Sequence, residues 1–489
     1  MDLSKGWWIW PEEKLPERNA FARFIKRFDY SGGKAVMSIT ADSRYYLFIN
    51  GERVGFGPVR AWPNHWRYDR YDISYYLNIG ENIIAVIVNH FGEGNFQYIP
   101  APAGLLAQIE LEDRVIVTDS TWQAGKCNEL ISNTPRISVQ EAFEEHYDAR
   151  VYDGWHDAGF EGSFAPAVQL RKAADGIHNN MEERYIPFLT HEPVAPKRIV
   201  EAKAVASRDY VFTISMRPFV DPDISSNVRY SHGYCATRIY SDKECVLKCS
   251  FINCYREGPE VLEHISIPNE VKLHKGWNDF IFHYGSRLHP LEVGIAFEGP
   301  EGLKFSCTGK EGAPAFAYVG PFGLTERTKK LAGKRFDDSD IIVDPEYPTA
   351  EMGLEFCRNG DVSAAIGKPW FHPLYNMPET DVYVKSYTDK VIKDVTIENP
   401  EGLLTGGWAT VYPDKAGNIR LCLDYGDECV GWQSFEIVAD EGTIVDVQNF
   451  EFIQRNGLRN YTEGMNNSFR YICSSGRQSY CTYVRRGFR

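Results

Sequence analysis

No run of about 18 apolar residues occurs in this chain, so no membrane-spanning helix and no membrane partner is expected. The start, Met1-Asp2-Leu3-Ser4-Lys5-Gly6-Trp7-Trp8-Ile9-Trp10, has one lysine followed by a short aromatic cluster, too short and bulky for a secretory leader. Read from Met1, the protein is expected to stay in the cytoplasm. Positive charge is scarce as well: 53 Lys and Arg stand against 67 Asp and Glu, a net charge of −14. Phosphate binding needs clustered cations that release counterions, so no nucleic-acid partner is expected. The 11 cysteines, an odd number, lie scattered from Cys127 to Cys481 without the spacing of a disulfide framework. One group, Cys245, Cys249 and Cys254, invites a zinc reading. Cys254 has the opposite strand parity, however, and no C-x-x-C partner follows. These thiols read as small buried hydrophobes, and no metal is assigned.

Motifs that carry chemistry are also missing. The chain has no G-x-S-x-G elbow, no phosphate-binding G-x-x-x-x-G-K-[ST] loop, no H-E-x-x-H and no complete G-x-G-x-x-G. Adjacent carboxylates occur at Glu144-Glu145 and Asp427-Glu428. Neighbours on a strand point to opposite faces, which makes them poor acid and base partners for one bond. They read as solvated charge.

What the chain does have is strand signal. At 489 residues and 43% hydrophobic content it has material for several cores, about three domains. Ala35-Val36-Met37-Ser38-Ile39-Thr40 and Tyr45-Tyr46-Leu47-Phe48-Ile49 are rich in β-branched and aromatic residues, and the second runs into Asn50-Gly51. Asn-Gly predicts a tight hairpin, because both positions of a type I′ turn need positive φ. A pattern recurs: Leu77-x-x-Gly80-x-Asn82-x-Ile84 returns as Leu273-x-x-Gly276-x-Asn278-x-Phe280, each copy leading into a strand. Two sandwiches of similar design follow from it, with glycine making the turn and asparagine satisfying nearby backbone groups.

The resulting expectation is an all-β chain of tandem sandwiches. Residues 1–135 form the first, and 136–200, rich in proline and polar residues, an irregular connector laid on its neighbours. Residues 201–328 form the second. The polar stretch Lys329 to Tyr347 opens a third β-rich region over 329–489.

Two segments stand out. In Gly55-Phe56-Gly57-Pro58-Val59-Arg60-Ala61-Trp62-Pro63-Asn64-His65-Trp66-Arg67-Tyr68-Asp69, aromatic, Arg and His residues interleave after the hairpin. Aromatic faces stack on sugar C–H surfaces while charged groups pair with hydroxyls, so Trp62 and Trp66 are carbohydrate-contact candidates. The alternative is that these rings cap the sandwich core or form an interdomain contact. In Glu144-Glu145-His146-Tyr147-Asp148-Ala149-Arg150-Val151-Tyr152-Asp153-Gly154-Trp155, the candidates are Asp148, Arg150 and Trp155 for a sugar, or the carboxylates for calcium. Here the alternative is a buried Asp–Arg pair that fixes the connector.

These residues also carry a resemblance. Trp8-Ile9-Trp10, the run Ala41-Asp42-Ser43-Arg44-Tyr45-Tyr46-Leu47-Phe48-Ile49-Asn50-Gly51 with Gly57-Pro58, and Glu145-His146-Tyr147-Asp148-Ala149-Arg150 belong to it. So do Gly442-Thr443-Ile444-Val445-Asp446-Val447 with Glu451, and Arg485-Arg486-Gly487-Phe488-Arg489. In this order they resemble the N-terminal β-domains of bacterial α-L-rhamnosidases. The match covers both ends of the chain, and residues 200 to 420 only in architecture.

The resemblance implies jelly-roll, galactose-binding-like sandwiches and a partner domain. Such enzymes carry their acidic residues in an (α/α)6 barrel that begins just after the Arg-Gly-Phe-Arg strand, and they invert the anomeric centre. No catalytic residue and no cofactor is therefore assigned to this chain. It is expected to be the accessory front part of such an enzyme, inactive alone, with a C-terminal catalytic domain in the same polypeptide and a rhamnose-containing glycan or glycoside as ligand. Some relatives carry a calcium-assisted rhamnose-binding module, whose ligands do not map onto residues here. The alternatives are a free-standing carbohydrate-binding protein and the sandwich portion of another exo-glycosidase. On the fragment reading, the last strands should leave Tyr483 and Phe488 exposed for the next domain.

Overall fold

The computed structural model describes residues 3–13, 18–138, 141, 143–207, 210–215, 231–252, 270–286, 292–323, 349–375, 377, 382, 389–453, 459–460 and 467–489. Cys254 and the stretch 329–347 lie outside them. Among the described residues no helix is long and apolar enough to cross a membrane.

Fourteen strands serve the first sandwich and its junction. They are β1 (Trp7–Trp10), β2 (Ala20–Tyr30), β3 (Val36–Asp42), β4 (Arg44–Ile49), β5 (Glu52–Gly57), β6 (Trp66–Asp72), β7 (Gly80–His90), β8 (Gly104–Glu110), β9 (Val115–Val117), β10 (Gln123–Lys126), β11 (Glu145–Asp148), β12 (Ala165–Pro166), β13 (Val168–Lys172) and β14 (Met181–Glu183). A seven-stranded sheet runs β13-β1-β8-β3-β6-β14 with β9 beside β8, and a six-stranded sheet runs β12-β10-β2-β7-β4-β5. The Asn50-Gly51 turn joins β4 to β5 with both residues at positive φ, 50° and 85°.

The central strands of the six-stranded sheet are apolar on both faces. Phe24, Leu47, Ile84 and Val86 point into the core between the sheets, while Ile25, Tyr46, Phe48, Ile83 and Ile87 point outward into a second core. A run such as Ile83-Ile84-Ala85-Val86-Ile87-Val88 lacks alternation for this reason: each face has its own cover. The outer cover comes from the far end of the chain, through Phe469, Tyr471, Tyr480 and Tyr483. Here β11 pairs in parallel with Ser468–Ile472, which pairs antiparallel with Ile444–Gln448.

Several expectations change. Residues 136–200 are not an irregular connector, because β12, β13 and β14 complete the two sheets and β11 joins the C-terminal strands. Tyr483 and Phe488 are buried, with Tyr483 edge-on to Tyr46 and Phe488 edge-on to Tyr425. Glu144 and Glu145 are buried too, whereas Asp427 and Glu428 are exposed.

In the second sandwich a four-stranded sheet (Tyr210–Ile214, Val293–Glu298, Cys245–Ile252, Glu270–Leu273) faces a five-stranded one that contains Ser231–Ser241 and Gly276–Ser286. Phe371–Pro373, expected in the third region, pairs with Ala317–Val319 in that five-stranded sheet. Helix α1 (Ala350–Asn359) sets Phe356 against Tyr234 and Trp370. Arg198–Ala206 instead joins Lys390–Asp394 and Asn418–Asp424 in a separate three-stranded sheet.

The repeated turn does what its residues suggest. Gly80 and Gly276 take φ of 99° and 102°. Asn82 accepts from Asn78 N and donates to the carbonyls of Asn78 and Gly80; Asn278 does the same with His274 and Gly276. A third copy uses glutamine: Gln478 accepts from Ser474 N and donates to Ser474 O and Gly476 O.

Candidate functional site

The two candidate segments lie on opposite sides of the first sandwich. Trp66 and Tyr68 alternate outward from the seven-stranded sheet, where they pack with Trp8, Leu106 and Ala173. Trp155 belongs to the second core, beyond the six-stranded sheet.

Trp62 leads into the short 3-10 helix Pro63–His65, with His65 N bonded back to Trp62 O at 2.9 Å. Its side chain is 67% exposed, and Asn64 and His65 are exposed beside it. Trp66 is the reverse. Only 4% exposed, it donates from Nε1 to Thr40 Oγ1 at 2.9 Å and lies 4.5 Å, ring to ring, from the buried His178. Trp66 therefore has no free face for a sugar, and its place among the carbohydrate candidates is corrected to a packing role.

Asp148 caps the 3-10 helix Ala149–Val151 by accepting from Arg150 N at 3.1 Å, and it holds the Arg150 side chain through Nε at 2.8 Å and Nη2 at 2.7 Å. Arg150 pulls the Asp148 carboxyl below its ordinary value, chiefly through these bonds. The pair is locally closed, but it is not the buried pair expected, since Arg150 is exposed. Trp155 is fully buried and donates to Glu129 Oε1 at 2.7 Å, so its sugar-contact role is corrected as well.

Nor do the carboxylates of 144–155 converge on an ion. Glu144 bonds His146 at 2.9 Å, Asp153 takes Arg23 at 2.8 Å, and Asp148 takes Arg150. Glu145 accepts from Tyr480 OH, Tyr483 N at 2.9 Å and Val484 N at 2.6 Å. Among the described residues no group of three or more His, Cys, Asp or Glu could hold a metal.

The residues that pair with His65 and Arg67 come from outside the segment that composition marked. Strand β14 runs parallel to β6 and sets Glu182 opposite Arg67. Their side chains pair at 2.7 Å, Asn180 Nδ2 meets His65 Nδ1 at 2.9 Å, and the Arg67 guanidinium lies 4.8 Å from the centre of the Tyr185 ring. Arg184 anchors this edge by donating from Nε to the buried Asp69 at 2.5 Å, beside Tyr45 OH. Burial drives the Asp69 carboxyl above its ordinary value despite both bonds. Gly57 is required next to it, since a Cβ there would stand 1.7 Å from Asp69 Oδ2. A three-residue strand has no readable period, so only the parallel pairing reveals this edge.

A second polar cluster lies inside the sandwich. Asp42 is fully buried and accepts from His90 at 2.9 Å and Tyr98 OH at 2.6 Å, with His178 Nε2 3.4 Å away. Burial alone would raise its carboxyl, but the bonds to His178 and His90 outweigh that and hold it low. The Ala41-Asp42-Ser43 motif thus serves the core.

Residues 33–186 match the family model described as the alpha-L-rhamnosidase N-terminal domain. This chain contains a rhamnosidase N-terminal domain. That domain takes in both candidate segments and the strands β12 to β14. The chain is also similar to a GH78 family rhamnosidase of Bacillus sp. GL1, at 28% identity and a TM-score of 0.80, over 99% of this chain and 52% of that one. It resembles the N-terminal region of an α-L-rhamnosidase and spans about half the length of that relative. An α-L-rhamnosidase from Dictyoglumus thermophilum matches at 19% identity and a TM-score of 0.31, over 60% of this chain and 34% of that one. One from Aspergillus terreus matches at 18% and 0.30, over 61% and 36%. No curated protein matches.

Proposed function

We propose that this chain is the accessory, non-catalytic front portion of an α-L-rhamnosidase-like glycoside hydrolase, working beside a C-terminal catalytic domain of the same polypeptide on rhamnose-containing glycosides. The observation that carries this reading is the superposition on the Bacillus rhamnosidase across nearly the whole chain, while that enzyme has almost as much length again. The carboxylates support it. Glu144, Glu145, Asp148 and Asp153 are each engaged by a protein partner, a structural use rather than that of the acid and base of an inverting pair. We place the protein in the cytoplasm, where unpaired buried thiols such as Cys127, Cys235 and Cys473 would stay reduced.

The test is hydrolysis of an aryl α-L-rhamnoside by the purified chain. No release above a buffer blank is expected. Turnover that survives removal of host enzymes would overturn the accessory reading.

A further inference from the structure

Building on that accessory reading, we propose that Trp62 and Tyr185, framed by His65, Arg67, Asn180 and Glu182, form a shallow binding site for a neutral pyranose at the edge of the seven-stranded sheet. A series of contacts joins the Trp62 backbone to the Tyr185 ring. Trp62 O takes the His65 amide at 2.9 Å, His65 Nδ1 meets Asn180 at 2.9 Å and stands 4.0 Å from Glu182, and Glu182 holds Arg67, which lies over Tyr185. The frame is rigid because Trp66 N bonds Asn180 O at 3.0 Å, β14 pairs with β6 over its full length, and Arg184 bonds the buried Asp69.

The chemistry of the frame suits a sugar. Trp62 and Tyr185 are 67% and 71% exposed, and among the described residues the Trp62 ring meets no other ring and no cation. The exposed Trp62 ring, and the face of Tyr185 that Arg67 does not cover, fit the C–H surface of a pyranose. Asn180 engages His65 Nδ1, so Nε2 of a ring 56% exposed stays open to a hydroxyl, as a donor in the tautomer in which Nδ1 accepts from the Asn180 amide. The Glu182 carboxylate, 46% exposed, accepts from hydroxyls and repels anions. Donors and acceptors beside exposed rings fit hydroxyls better than they fit an apolar protein surface.

The experiment is a calorimetric titration of the full chain with L-rhamnose, with D-glucose as comparison. Saturable binding of L-rhamnose is expected with a dissociation constant on the order of 1 mM, as suits an open site. Trp62→Ala and Glu182→Gln should each weaken it by about tenfold or more while the melting temperature holds, and Trp62→Phe should keep most of it. A flat titration up to about 50 mM, or unchanged binding by Trp62→Ala, would overturn the proposal. So would self-association that Trp62→Ala abolishes while the sugar titration stays flat, since that would make the edge a protein contact. Glucose bound as tightly as rhamnose, and lost in Trp62→Ala, would keep the site and count against the rhamnose reading. Hydrolysis by the chain would overturn the accessory reading and leave the site standing.

Discussion

Segments 55–69 and 144–155 have the same kind of composition, tryptophan and tyrosine interleaved with Arg, His and Asp, yet one turns Trp62 to solvent while the other closes over Trp155. The difference lies in what arrives from elsewhere. Segment 144–155 is covered by strands some 300 residues later: Tyr480 OH reaches Glu145 across 335 positions of sequence. In segment 55–69 the start is covered in the same way, Phe56 lying edge-on to Trp432, and Trp66 and Tyr68 are sealed by β14 together with Trp8, Leu106 and Ala173, but none of this cover reaches Trp62. Aromatic residues that pack a core and those that meet a ligand are the same residues, and a distant segment decides between the two roles.

Trp155→Ala should break the covered side most severely. Removing a fully buried indole and its bond to Glu129 should destabilise the protein by about 3–5 kcal/mol, read from its unfolding transition. Trp66→Ala should follow closely, and a loss under about 1 kcal/mol for either would mean that the burial contrast has no energetic weight. Glu145→Ala should cost about 3 kcal/mol, because Tyr480 OH and the Tyr483 and Val484 amides lose a charged acceptor inside the fold. Hydrogen exchange at those amides should rise with it; unchanged protection would show that the C-terminal strands hold their place without that joint.

Acid sharpens the comparison from within the sandwich. Asp42 titrates below the ordinary value of 3.8 in the fold, so it supplies stability that is present above that value and lost as pH falls through the lower folded one. Asp69, raised by burial, has the opposite sign: its ionisation opposes folding, and acid relieves that cost on passing down through its raised value. Unfolding midpoints followed toward acid should therefore fall less steeply in Asp42→Asn and more steeply in Asp69→Asn than in the unaltered protein. Identical profiles would remove both carboxylates from the acid response. The smallest effect belongs to Trp62→Ala, which should shift stability by no more than about 0.5 kcal/mol, because the ring is mostly in water already. A larger loss would place Trp62 with Trp155.

The sequence by itself determined the local structure. Strand composition announced an all-β chain, Asn50-Gly51 placed a hairpin, and the Gly80-x-Asn82 and Gly276-x-Asn278 turns formed as their residue chemistry requires. Such features rest on φ preferences and on bonds between residues four or fewer apart, so they can be read in one dimension. The tertiary structure alone decided which strands completed which sheet. β14 and β11 are too short to show a period, and both join in parallel with strands far away in sequence. It also decided that Trp66, Trp155, Glu144, Glu145, Tyr483 and Phe488 lie inside while Trp62 and Tyr185 remain in water. Burial depends on which distant surface arrives, and no local pattern of residues encodes that arrival.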